Sequence, residues 1–241
     1  MPTEYDNIDR IGGTYETAEP EVKKINHYFH GRQVKTVFDL VKKMKLQNFD
    51  RIIDLGCSDG GWLDDYKKME FQKIVGIDIS SERADKAKKR GFFETFATNA
   101  YELPFTNDSE SCIICNGMIV HVLQDSDRLK IFKEVKRVLK NKGIFIFNFT
   151  NAKAKGSDTD ITLEYTRHNT IETIIDLVKK SGLEIEHIKP CFYIFPKIGA
   201  HKKISSISTK IVFPITNFIL NKLKNLRLSE VIYLGVRKKI N

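Results

Sequence analysis

Arg51-Ile-Ile-Asp-Leu-Gly-Cys-Ser-Asp-Gly-Gly61 is an apolar strand that ends on a carboxylate, Asp54, and runs into a glycine-studded turn. A strand entering Gly-rich backbone ahead of a helix is the usual way to bring main-chain N–H groups against a nucleotide-like ligand. The acids are the unusual part. Asp54 closes the strand and Asp59 lies inside the turn, where a dinucleotide would place its pyrophosphate. Two carboxylates there repel a dianion and attract a cation. Gly56, Ser58 and Gly61 also imitate a degraded G-x-G-x-x-G, so an ordinary βα turn stays open on this segment alone.

The next strand, Lys73-Ile-Val-Gly-Ile-Asp78, ends on an acid 24 residues after Asp54, with Ile79 following. In nucleotide-binding α/β folds an acid about 20 residues past the glycine turn takes the ribose hydroxyls. A carboxylate suits a diol because it accepts from both hydroxyls; a loop or capping acid is the plainer role for Asp78. Ser80-Ser81 opens a helix over residues 82–90, which Gly91 stops. A third segment, Thr98-Asn-Ala-Tyr-Glu-Leu-Pro-Phe105, ends another strand. A fourth strand runs through Ser111-Cys-Ile-Ile-Cys-Asn116 into Gly-Met-Ile-Val-His121-Val. Arg137-Val-Leu-Lys-Asn-Lys-Gly143 then leads into Ile144-Phe-Ile-Phe-Asn148.

From residue 51 to 148 this order resembles the class I S-adenosylmethionine-dependent methyltransferases of the ubiquinone/menaquinone-biosynthesis type. That family carries an "LDLGCGTG" loop, an acid after the second strand, "D-A-x-x-L-P-F", a "V-L-x-H-V" helix start and "R-V-L-K-P-G-G" before its fifth strand. The resemblance implies a Rossmann-like α/β fold: a mainly parallel seven-stranded sheet, helices on both faces and an antiparallel last strand. It implies S-adenosylmethionine as cofactor and S-adenosylhomocysteine as product. It places Asp54, Gly56, Ser58 and Gly60 at the methionine end, Asp78 at the ribose, and Asn99 with Ala100 at the adenine, and counts Cys57, Ile79 and Asn116 among the cofactor-binding residues. Two positions depart from the family: Asn99 stands where an acid receives the adenine amino group, and Ser58 replaces the middle glycine.

The 241 residues suffice for one domain with a full core. Strands alternating with helical stretches predict a parallel sheet covered on both faces. Residues 1–48 are expected to form a helical lid, built on a helix over 21–45; 49–150 form the cofactor core and 151–241 the substrate-side half. Ile131, Phe132, Val135, Val138 and Leu139 make a core stripe on a helix over 125–139. A loop is expected over 151–160, a helix over 170–181 ending at Gly182, and strands over 183–188 and 230–236.

The net charge of +9 is concentrated at the end. Residues 151–241 carry 16 basic and eight acidic side chains, against 16 and 15 in 51–150 and eight of each in 1–50. Residues 201–228 form a basic amphipathic stripe, interrupted at Pro214. Three readings compete for it: a cap over the substrate, a peripheral contact with an anionic membrane, or packing against another subunit or an acidic partner. A lipid-linked acceptor would unite the first two. No nucleic-acid-binding motif accompanies the charge, so nucleic acid is a poor partner. The four cysteines suit a reducing compartment. Cys112 and Cys115 lie in a strand, on opposite faces, and so share no metal. The amino terminus has no apolar core of a signal peptide, and no run of 18 apolar residues occurs, so a cytoplasmic location is expected. Nothing in the sequence indicates an oligomeric state.

Methyl transfer from a sulfonium is an in-line displacement with a good neutral leaving group, so alignment supplies much of the acceleration. A base is needed only where the acceptor loses a proton. His121, at a helix start after the fourth strand, is the candidate base, with a structural histidine as the alternative. Asn116 ends that strand and is placed to face the methyl group; His168 and Tyr15 are weaker candidates. Two other readings stand: a non-catalytic binder of the same cofactor, and a nicotinamide oxidoreductase. The acceptor, small or lipid-linked, and the atom methylated are not legible.

Overall fold

The structure, a computed structural model, describes residues 20–192 and 226–238. Tyr15, most of the predicted cap and the first 19 residues of the predicted lid lie outside them. Helix α1 (Pro20–Lys43) leads into β1 (Arg51–Leu55), α2 (Leu63–Lys68), β2 (Lys73–Asp78), α3 (Ser81–Arg90), β3 (Glu94–Ala97) and β4 (Glu110–Cys115). Then come α4 (Asp125–Val138), β5 (Leu139–Thr150), the short pair β6 (Ile161–Thr162) and β7 (Arg167–His168), α5 (Ile171–Ser181), β8 (Leu183–Phe192) and β9 (Val231–Lys238). Seven strands form one sheet in the order β3-β2-β1-β4-β5-β9-β8. The first five are parallel, and β9 lies antiparallel between β5 and β8. Strand order reverses between β1 and β4. A crevice at the carboxyl ends of those strands is where open α/β sheets bind ligands.

Parallel strands buried on both faces read as continuous apolar runs, and the two faces carry separate cores. Ile53, Leu55 and Cys115 pack with Phe132, Val135 and Val138 of α4 and Ile174 and Val178 of α5. On the other face Ile52, Cys112 and Ile114 meet Leu40 and Val41 of α1, Met44 just beyond it, and Tyr66 of α2. Cys112 and Cys115 thus do face opposite sides, and all four cysteines are free and buried. Fully burying one such aliphatic or aromatic side chain contributes about 1.5–3 kcal/mol. Helices α3 and α5 begin and end where the sequence directs. Ser80 Oγ accepts from Arg83 N–H, Thr170 Oγ1 accepts from Thr173 N–H, and Gly91 and Gly182 close α3 and α5 in the left-handed conformation.

Three expectations change. In the carboxyl half of α1, Val37, Leu40 and Val41 recur at helical spacing and bury that face against the sheet. His121 ends a 3-10 turn (Ile119–His121), and the helix begins only at Asp125. The expected loop over 151–160 contains a 3-10 turn (Ala152–Lys155), and the β6–β7 hairpin follows it. Strand β8 continues past 188 through Pro190 to Phe192. An edge strand tolerates this proline, and the pairing shifts register there.

Candidate active site

A cavity of about 660 Å³ opens at the carboxyl ends of β1, β2 and β4. Gly56, Ser58, Asp78, Ile79, Asn99, Ala100, Asn116 and His121 all border it. Asp54, Cys57 and Gly60 do not: the sheet and the turn place them behind the wall.

The turn is held from β2. Gly56 N–H and Cys57 N–H both donate to the Ile77 carbonyl (2.7 and 2.9 Å), and Ser58 N–H donates to Asp78 Oδ2 (2.8 Å). Asp78 Oδ1 accepts from Ser80 N–H (3.0 Å). The acid predicted for a ribose therefore also ties the turn to its strand, a role the sequence did not reveal. Its oxygens keep further lone pairs toward the cavity. Gly56 has φ 81°, and a Cβ there would lie 2.7 Å from Met118 Cβ, so the turn and the segment after β4 approach too closely for any side chain. Ser58 takes φ 49° without being glycine. Gly60 (φ 84°) sits against Phe92 and Ala87, and Cys57 Sγ covers Gly76; both shape the turn from behind. Burial, with Asp54 and Asp78 nearby, pushes the Cys57 thiol well up, so it is no nucleophile.

The acids divide in a way the sequence did not predict. Asp59 is exposed and reaches Arg90 across the surface (3.5 Å), away from the cavity. Asp54 is 2 % exposed. Its Oδ1 accepts from Tyr66 Oη (3.0 Å), and Oδ2 has no partner. Burial pushes its carboxyl up to about 7, opposed by the Tyr66 hydrogen bond and reinforced by Asp78. Asn116 Nδ2 donates to Tyr66 Oη (3.1 Å), and Tyr233 Oη donates to Asn116 Oδ1 (2.9 Å). Tyr66 and Tyr233 stand 167 residues apart in sequence, and nothing local marks either.

His121 borders the cavity from the opposite side, with Nδ1 3.0 Å from the Tyr165 carbonyl. A carbonyl only accepts, so in the neutral imidazole the proton sits on Nδ1 and Nε2 keeps its lone pair. Tyr165 lies in the turn between β6 and β7. Arg167 braces that hairpin by donating to the Leu123 carbonyl, Asp125 Oδ2 and Asp160 Oδ2, each at 2.9 Å. Arg128, fully buried, donates to Asp125 and the Ile119 carbonyl. Burial and the neighbouring Arg167 lower its guanidinium to about 10. A signal for Arg128 was present: it shares a helix face with Ile131, Phe132 and Val135, where a charge has to be paired. His168 is apart from the cavity, and burial lowers its imidazole below the usual range. Asn99 Oδ1 receives Tyr101 N–H (3.4 Å), which leaves its amide hydrogens available. Exposed Ile79 and Tyr101 give the same end two apolar surfaces for a flat ring.

The residues present fit a nucleoside bearing a positive charge: a carboxylate at the wall, an unpartnered carboxylate oxygen behind it, and apolar surfaces beyond. Among the described residues no cluster of His, Cys, Asp and Glu is built for a metal.

Residues 52–143 match the methyltransferase domain family. An uncharacterized protein of Methanocaldococcus jannaschii is 28% identical over 95% of this chain and 91% of its own length. A S-adenosylmethionine-dependent methyltransferase from Clostridium acetobutylicum shares the fold at 16% identity, with a TM-score of 0.61 over 98% of this chain and 96% of that one. So does the magnesium protoporphyrin IX methyltransferase of Synechocystis, solved with bound S-adenosylmethionine, at 14% identity and TM-score 0.60 over 98% of this chain and 92% of that one.

Proposed function

We propose that this chain, whose residues 52–143 are a methyltransferase domain and whose cofactor is S-adenosylmethionine, methylates a small-molecule or lipid-linked acceptor that loses a proton to His121. Bound in the cavity, the cofactor supplies an electrophilic methyl group on a sulfonium and leaves as neutral S-adenosylhomocysteine. Asp78 would accept from the ribose hydroxyls, Gly56 and Ser58 would border the methionine end, and Ile79, Asn99 and Ala100 the adenine. Asn116 would face the reacting end from the tip of β4. The chemistry the cofactor would supply is displacement at the methyl carbon, with the acceptor's lone pair bonding that carbon and the carbon–sulfur pair returning to sulfur. The acceptor proton goes to His121 Nε2.

The observation that carries this reading is the hydrogen bond from His121 to the Tyr165 carbonyl, because it leaves the lone pair on Nε2 of a residue that lines the cavity. An acceptor O–H or N–H that must be deprotonated suits such a base. The lipid-linked alternative draws on the basic stripe over 201–228, and the reducing interior of a cell suits four buried thiols. No described helix is long and apolar enough to cross a membrane.

The test is transfer of tritiated methyl from S-adenosylmethionine to phenols, carboxylic acids and amines, free and prenyl-tailed. His121→Asn should lower kcat roughly 10²–10⁴-fold on the acceptor found, with S-adenosylhomocysteine affinity unchanged. Cofactor affinity without transfer to any acceptor would favour a non-catalytic binder. Retention of NADH with no affinity for S-adenosylhomocysteine would favour the oxidoreductase and end this reading.

A further inference from the structure

Asp54 stands at the end of a hydrogen-bond chain that runs one way. A tyrosine hydroxyl has one proton, and Tyr66 gives it to Asp54 Oδ1, so its oxygen is free to accept from Asn116 Nδ2. The Asn116 amide is thereby fixed, with Oδ1 accepting from Tyr233 Oη. Tyr66 and Tyr233 are fully buried, and Asn116 reaches the cavity wall. Every donor in the chain points toward the carboxylate.

That carboxylate is nonetheless poorly served. An ionised carboxylate in the interior needs several donors or a cation, whereas Asp54 receives one hydroxyl and keeps Oδ2 bare. The groups facing it are Tyr66 from α2, Asp78 from β2, Cys57 from the turn and Cys115 from β4. Among the described residues no Lys, Arg or His forms an ion pair with it. Burial favours the neutral acid, Tyr66 resists this, and Asp78 adds to it, so the carboxyl titrates at about 7.

We infer that the missing cation is the cofactor, and that its binding expels a proton from Asp54 into solvent, so that affinity depends on pH. The inference rests on reading the cavity as a S-adenosylmethionine site. Asp54 lies behind the wall of Leu55 and Gly56, so the coupling is through-space charge attraction, which is strong where water is excluded. The Asp54 O–H bond breaks, its electron pair stays on the carboxylate, and the positive charge of the bound molecule takes the place of the proton. The chain holds Oδ1 as an acceptor in both states, so the proton that leaves comes from Oδ2. Asp54 is thus a specificity residue for a cationic ligand rather than a contact.

Isothermal titration of S-adenosylmethionine, which carries the sulfonium and is not consumed without an acceptor, tests this at pH 6, 7 and 8. Each pH is measured in two buffers of different ionisation heat, which counts protons. With a group titrating near 7, binding should weaken about tenfold from pH 8 to pH 6 and release about half a proton at pH 7. Asp54→Asn should bind equally at pH 6 and 8 and release none, once the probe's own amine is subtracted. Tyr66→Phe removes the one donor and should move the weakening to higher pH, which a merely structural tyrosine would not do. His121→Asn should leave the proton release in place. Affinity flat within about twofold across this range in the unaltered protein, or release that survives Asp54→Asn, overturns the inference. Absence of binding at every pH would instead overturn the functional reading on which it rests.

Discussion

Asp78→Asn exchanges one carboxylate oxygen for an amide that has two protons and no lone pair. Both oxygens of Asp78 are engaged, Oδ2 by Ser58 N–H and Oδ1 by Ser80 N–H, and the side chain is 8 % exposed. Whichever way the asparagine turns, one backbone N–H meets an NH2 group. A hydrogen bond to a charged partner contributes about 1.5–3 kcal/mol. Losing one, and the charge behind the other, should cost the unliganded protein about 2–4 kcal/mol. For a chain of this size each kcal/mol moves the melting temperature by about 2–4 °C, so a fall of roughly 5–15 °C is expected. The ligand loses separately. Ribose hydroxyls that donated to a carboxylate now meet a neutral amide, and about 1.5–3 kcal/mol of binding corresponds to a Kd for S-adenosylhomocysteine about 10–150-fold weaker. Thermal unfolding without ligand reads the first effect and calorimetric titration the second. A lower melting temperature with Kd within about threefold of the unaltered protein would show that Asp78 only ties the turn, and would refute the diol assignment. No change in either would refute the geometry of the turn itself.

Ser58→Gly restores the family residue at a position held at φ 49°. Relief of about 1–2 kcal/mol of left-handed strain against about 0.5–1 kcal/mol of glycine entropy predicts equal or slightly higher stability in urea, and a loss beyond about 1 kcal/mol would contradict it. Gly60→Ala puts a Cβ 2.8 Å from Phe92 Cε2 and 3.2 Å from Ala87 Cα, at φ 84°; urea unfolding should show a loss of about 2–4 kcal/mol, and cofactor affinity should fall with the displaced turn. Arg128→Ala strips a fully buried guanidinium from Asp125 and the Ile119 carbonyl. Stability should drop by about 3–5 kcal/mol, with Arg128→Met recovering part of it by filling the space.

The parallel core was readable because β-branched runs such as Lys73–Asp78 end at polar or glycine punctuation, and because Ser80, Gly91, Thr170 and Gly182 occupy the cap positions their chemistry favours. The β6–β7 hairpin was not, since its strands are two residues long and carry no period. Its order comes from one side chain: Asp160 accepts from Thr170 N–H, Asn169 Nδ2, Arg167 Nη2 and Thr173 Oγ1. Strand β8 runs beyond the alternating stretch 183–188 because its place at the edge of the sheet tolerates Pro190. In the site, Gly56, Ser58, Asp78, Asn99 and Asn116 followed from strand ends, which topology alone brings to one crevice. Tyr66 and Tyr233 could not follow, because each matters through a partner supplied by a distant strand or helix.

The structure alters the electrostatic expectation, and the alteration bears on what the crevice can hold. The turn was expected to aim N–H groups and two acids, Asp54 and Asp59, at a ligand. Instead the amides of Gly56, Cys57, Ser58 and Gly60 are spent on Ile77, Asp78 and Cys57 itself, and α2 beyond the turn is only six residues long. Asp59 is turned outward to Arg90. A pyrophosphate placed at the turn would find few amides left to receive it, with Asp78 and Arg83 in the nearby wall and a second, proton-sensitive carboxylate, Asp54, behind. Each of its charges would raise the cost of ionising Asp54. A cation lowers that same cost, so the arrangement that disfavours a dinucleotide is the one that favours a sulfonium or an ammonium. On the proposed reading the negative charge serving the ligand comes from Asp78 and Asp54, with Asp59 turned away.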